Sequence, residues 1–179
     1  MQLKKVKLIA PSSYQEKLCD LFSKEVFHNS ESGKTYMDRT KNSGSENKII
    51  ADIYLGKMAE YAVWNYLVSQ DKFPTEPELA IYSNKRKSYD ADLKIGNTKI
   101  HVKSCVYNEK FSNSWVFRPN DPIVTNPDEN DFVILCALKD NTFEGILVSA
   151  KKLVGMHKPP RNPNYNMSVI YEEDLLGGE

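Results

Sequence analysis

Between Tyr89 and Ser104 apolar and polar positions take turns: Leu93, Ile95, Ile100 and Val102 are apolar, and Asp92, Lys94, Lys99, His101 and Lys103 stand between them. A period of two, interrupted by Gly96-Asn97, predicts two short strands joined by a tight turn. Such a hairpin sets Asp92 beside His101 and Lys103 on one face. Upstream the period lengthens. Ser13-Tyr14-Gln15-Glu16 has capping-box spacing, and Tyr14, Leu18, Leu21, Phe22 and Val26 recur at helical intervals, so a first helix is expected over about residues 14–27. Residues 28–47 are almost wholly polar and read as a surface loop.

A longer helix follows over residues 46–69, with Ile49, Ile50, Ile53, Tyr54, Met58, Tyr61, Ala62, Trp64 and Leu67 forming a broad apolar surface. That surface is so wide that periodicity does not decide which way Glu60 points. Two prolines in Phe73-Pro74-Thr75-Glu76-Pro77 end the helix, and Leu79 and Ile81 suit a strand. Trp115-Val116-Phe117 reads as another short strand. Residues 131–139 form a nearly continuous apolar run, as expected of a central buried strand, and 144–149 pairs with it across Asp140-Asn141. Residues 150–154 suit a short helix, and 156–179 an extended tail. This order predicts an α/β chain in one layered domain, with a central mixed β-sheet flanked by helices.

Composition narrows the choice of partners. With 179 residues, one domain can bury a core without cross-links. Lysine plus arginine and aspartate plus glutamate number 24 each, so no global charge draws the chain to polyanions or membranes, and a nucleic acid would be held by local patches. No stretch approaches the ~20 apolar residues of a membrane span, and the N-terminal apolar run is too short for a signal peptide. Cys19, Cys105 and Cys136 are odd in number and widely spaced, which predicts reduced core thiols and a cytoplasmic location.

Ser32-Gly33-Lys34-Thr35 ends like a phosphate-binding loop, but His28 stands where the first glycine belongs, with no strand before it and no periodic helix after. The hairpin is the better candidate. Phosphodiester hydrolysis needs an activated water, stabilisation of transition-state charge and help for the leaving oxygen, work suited to a divalent cation and a lysine. Asp92 and the carbonyl of Val102 are oxygen donors of the kind magnesium prefers. Lys103 projects from the same face as His101 and can neutralise a phosphate. The other reading is a solvent-facing amphipathic hairpin.

These residues resemble the PD-(D/E)xK nuclease superfamily, whose fold is restriction-endonuclease-like. The likeness lies in Asp92, then His101-Val102-Lys103-Ser104, with Gly56-Lys57-Met58-Ala59-Glu60 upstream and the paired strands downstream, covering about residues 46–155. It implies that Glu60 helps hold a metal together with Asp92, the Val102 carbonyl and whatever occupies position 101. Here that position carries His101 instead of the family's glutamate or aspartate, and Ala91 stands in place of proline. An imidazole is a poor magnesium ligand and a good one for transition metals, so manganese is expected to serve better than magnesium unless Asp90 turns inward.

The resemblance implies a metal-dependent endonuclease of restriction or phage type acting on double-stranded DNA, with RNA as a variant and a homodimer to cut both strands. Asp92, Glu60, His101 and Lys103 would be its catalytic set. Lys85, Arg86 and Lys87 would track the phosphate backbone, with Lys110, Trp115 and Arg118 as further contacts. The competing expectation is a catalytically inactive nucleic-acid-binding or interaction protein on the same scaffold.

Overall fold

A computed structural model describes residues 3–32, 45–81, 91–161 and 167–177, with backbone only for 30–32. Lys85, Arg86, Lys87 and Asp90, together with Gly33-Lys34-Thr35, lie outside the described residues.

Strand β1 (Lys5–Lys7) leads into helix α1 (Ser13–Ser32). The cap forms one residue earlier than the sequence suggests: Gln15 N–H donates to Ser12 Oγ at 3.3 Å, and Ser12 N–H donates to Gln15 Oε1 at 2.8 Å. The glutamine, not Glu16, closes the box. Helix α2 (Glu46–Ser69) has the expected bounds. Every residue from Lys57 to Val63 is buried, because α1 covers one side of this stretch and the sheet another. A helix covered on all sides carries no amphipathic period, which is why periodicity is silent on Glu60.

Strands β2 (Leu93–Ile95) and β3 (Thr98–Val106) form the expected hairpin. Gly96 turns with φ +57°, a conformation that glycine adopts without steric cost. After β4 (Ser114–Phe117) and the single turn of α3 (Pro122–Thr125), β5 (Asp131–Lys139) lies parallel to β3, and β6 (Thr142–Ser149) returns antiparallel. Asp140 and Asn141, both at positive φ, make the turn, as suits residues that tolerate that region. The five strands run in the order β1-β6-β5-β3-β2. The chain is thus mixed α/β around a mixed sheet.

Helix α4 (Ala150–Leu153) matches the expected short helix, but the tail is not merely extended. Strand β7 (Ser168–Tyr171) pairs antiparallel with β4 as a second small sheet, and α5 (Glu172–Leu176) follows. The four residues of β7 are all buried, so their pairing depends on a distant strand and not on a local pattern. Leu79 and Ile81, expected in a strand, are in none, although Thr75 N–H donates to the Lys94 carbonyl at 2.8 Å alongside β2.

Each face of the main sheet has its own apolar cluster. Leu93, Ile100, Ile134, Cys136 and Phe143 pack with Met58, Ala59, Ala62 and Val63 of α2 and Cys19 of α1. Val133, Leu135, Ala137, Ile146 and Val148 pack on the other side with Trp115, Phe117, Val124, Leu153 and Ile170. Among the described residues no helix is long and apolar enough to cross a membrane.

Candidate active site

Asp92 sits just before β2, where the β2–β3 ladder runs out. Its N–H donates to the Ile100 carbonyl at 3.1 Å, and its Oδ2 accepts the Val102 N–H at 2.8 Å. The carboxylate therefore continues the ladder after the backbone of β2 has left it. A residue in a strand turns its N–H and C=O to the same side, so the Val102 carbonyl faces the same open edge as the N–H that holds Asp92. The structure thus brings the Asp92 carboxylate to Val102 through the backbone N–H.

His101 and Lys103 alternate with the residues of β3 that face α2, and so belong to the opposite face. His101 is buried, with 7% of its surface exposed. Its Nε2 lies 3.6 Å from Oδ1 of Asp131, itself 7% exposed, at the start of β5. Neither atom reaches solvent and neither has a hydrogen-bond partner. The other oxygen of Asp131 accepts the Asp128 N–H at 2.7 Å, so the turn before β5 holds the carboxylate in place.

Lys103 Nζ lies 3.5 Å from Asp121 Oδ2 and 5.0 Å from the centroid of the Phe117 ring. Asp121 also caps α3, its Oδ1 accepting the Ile123 N–H at 3.2 Å. The ammonium keeps about a third of its side chain exposed, at 31%, and so remains within reach of an anion.

Glu60 is elsewhere. It belongs to α2, on the face that Lys103 points away from, and its Oε2 accepts a hydrogen bond from Lys57 Nζ at 2.5 Å. The Lys57 ammonium stands 5.0 Å over the Phe22 ring of α1. Burial, with Glu60 adding its charge, pushes the nearby Cys19 thiol up to about 12. Of the four expected ligands, Asp92 and Val102 are joined by a hydrogen bond, His101 turns to Asp131, and Glu60 accepts from Lys57.

Trp115, a candidate for stacking on a base, is buried at 1% exposure, and its Nε1–H donates to the Cys136 carbonyl at 2.8 Å. It belongs to the core, whereas Lys110 and Arg118 are exposed. All three cysteines are free. Sequence reasoning passed over Asp131 and Asp121. Asp131 looks like the boundary of an apolar run, and only its partner on another strand gives it meaning. Asp121-Pro122, a capping residue before proline at the first helical position, is a legible helix start.

A magnesium ion is commonly held by one or two carboxylates and completed by water and substrate phosphates. Asp92 is one such carboxylate, hydrogen-bonded to the residue whose carbonyl was expected beside it. Among the described residues no three histidine, cysteine, aspartate or glutamate side chains converge on a point where an ion would sit. No family model, curated protein or solved structure matches this chain.

Proposed function

We propose that this protein is a metal-dependent phosphodiester hydrolase, an endonuclease of restriction or phage type acting on double-stranded DNA in the cytoplasm. The observation that carries the reading is the Asp92 carboxylate held at 2.8 Å by the Val102 N–H, with Lys103 next along the same strand. A carboxylate and a carbonyl on one strand edge, with a lysine on the same strand, are the smallest set that would both hold a cation and face a phosphate. Asp92 and the Val102 carbonyl would hold a divalent ion, which when bound would supply Lewis acidity toward the phosphoryl oxygens. Lys103 neutralises charge that grows on the phosphate as the bond to the attacking oxygen forms. Asp121 and the Phe117 ring hold that ammonium in position. Two copies of the chain would serve the two strands.

Incubating the pure chain with supercoiled plasmid and either magnesium or manganese tests the reading. Nicking that is lost in Asp92→Asn and Lys103→Ala supports it, and no nicking with either ion removes it.

A second reading draws on the separation of Glu60 from Lys103: a nucleic-acid-binding or interaction protein that has kept the scaffold without the chemistry. It calls for salt-sensitive DNA binding that needs no metal and survives Asp92→Asn. Structured RNA in place of DNA is an outcome of the same assays.

A further inference from the structure

We infer that His101 Nε2 and Asp131 Oδ1 are two ligands of a site for a zinc-class divalent ion. This site relies on the hydrolase reading only for the use made of the ion, and not for its binding. Both side chains are about nine-tenths buried, and the two atoms face each other without a hydrogen-bond partner among the described residues. A buried polar atom left unpaired costs free energy, so two that confront one another call for something between them.

Their separation indicates what that is. At 3.6 Å the pair is wider than a hydrogen bond, for which N–H···O spans about 2.7–3.2 Å. Two ligands about 2.0–2.1 Å from a tetrahedral zinc stand about 3.4 Å apart. Neighbouring ligands of octahedral magnesium, also near 2.0–2.1 Å, stand only about 3.0 Å apart. The observed spacing is nearer the tetrahedral edge, and an imidazole nitrogen is a donor that zinc and cobalt take and magnesium declines.

The surroundings already orient the carboxylate. Asp131 Oδ2 is occupied by the Asp128 N–H, and Asp131 N–H donates back to the Asp128 carbonyl at 3.3 Å, so Oδ1 is the oxygen left for an ion. Fixing a ligand through its second oxygen is how outer contacts tune a metal site. No third protein ligand joins them among the described residues, so water or phosphate oxygens would fill the remaining positions once the strand ends part enough to admit them, since neither atom reaches solvent as the pair stands.

The test uses the full chain, stripped with a chelator and titrated with cobalt(II) by visible absorption and with zinc and magnesium by calorimetry. The expected result is one cobalt ion per chain with visible bands, displaced by zinc, and magnesium binding weaker by roughly tenfold or more. Asp131→Asn retains an oxygen for the Asp128 N–H, and His101→Gln keeps a polar side chain of similar reach. Each should weaken cobalt binding by roughly tenfold or more while the metal-free chain still melts cooperatively. No cobalt binding by the wild type, or cobalt binding unchanged in Asp131→Asn, overturns the inference. Binding that depends on both residues in a chain that nicks no plasmid supports the site and removes only the hydrolase reading. Nicking lost in Lys103→Ala alongside cobalt binding indifferent to Asp131 does the reverse.

Discussion

Two pairs of an acid and a base are buried on opposite faces of the same sheet. On the helical face Lys57 and Glu60 meet at 2.5 Å, three residues apart on α2, with a Phe22 ring under the ammonium. On the other face His101 and Asp131 come from different strands and stop at 3.6 Å, each with an atom that nothing satisfies. The first pair is joined by a hydrogen bond within one helix and packs against α1. The second leaves donor capacity unspent, which is what a binding site requires. Burial and the presence of a carboxylate are common to both, so neither property identifies a site; unfilled valence does.

The largest effect expected from this contrast is on stability. Glu60→Ala leaves the Lys57 ammonium buried without the carboxylate it bonds, and removing one partner of such a pair costs about 3–5 kcal/mol. Urea unfolding should show that loss, and the double substitution Lys57→Met with Glu60→Leu should recover most of it, since an apolar pair of similar volume avoids the desolvation of both charges. A single-variant cost below about 1 kcal/mol would mean that the helical pair is not the closed unit its geometry indicates.

Lys103→Ala should behave in the opposite sense. Its ion pair with Asp121 is 3.5 Å long and partly exposed, so the stability lost is less than about 1 kcal/mol. Plasmid nicking should fall roughly a hundredfold or more, the usual cost of removing one group that stabilises transition-state charge. The reverse pattern, a large loss of stability with nicking intact, would make the two faces alike and Lys103 a packing residue.

A matched pair of substitutions sharpens the comparison further. Glu60→Gln and Asp131→Asn make the same chemical change on the two faces. In metal-free protein the first removes the charge from a made hydrogen bond and should cost about 1–3 kcal/mol. The second removes it from a carboxylate whose Oδ1 makes no hydrogen bond among the described residues, and should change the unfolding free energy by less than about 1 kcal/mol or raise it.

Much of this architecture is legible in the sequence because much of it is local. The bounds of α2, the Gly96-Asn97 turn, the buried run of β5 and its return through Asp140-Asn141 all follow from patterns a few residues long. Strand β7 was not legible, since four buried residues carry a signal only when β4 lies against them. The candidate site divides the same way. Asp92, Val102 and Lys103 lie on one hairpin, so its pairing brings Asp92 to Val102, while the contact of Lys103 with Asp121 comes from a separate segment. Glu60 was beyond the reach of periodicity because α2 is buried all round at that point, and its hydrogen bond from Lys57 is a contact no hydrophobic pattern announces. Asp131 was beyond reach for the complementary reason: its partner stands on another strand, and parallel pairing across a long connection leaves no mark on either segment.

The smallest expected effect concerns the thiols that report on the two faces. Burial first and the charge of Glu60 second raise Cys19, beside the Lys57–Glu60 pair, from 9.0 to about 12, and burial raises Cys105, on the other face, to about 11. Above pH 9.0 the unfolded chain sheds thiol protons that the folded chain keeps, so the folded state holds more protons and stability falls as pH rises. That decline should continue toward pH 12 for Cys19 and end sooner for Cys105. Urea midpoints measured from pH 8 upward should therefore fall less steeply in Cys19→Ala than in the wild type, with Cys105→Ala between them. Alkylation of the native protein supplies the matching rate. Cys105, half-buried and with the lower value, should react before Cys19, which has no exposed surface. Equal rates would show that the helical face opens as readily as the face that carries Lys103, and would remove the distinction between a closed pair and an open one.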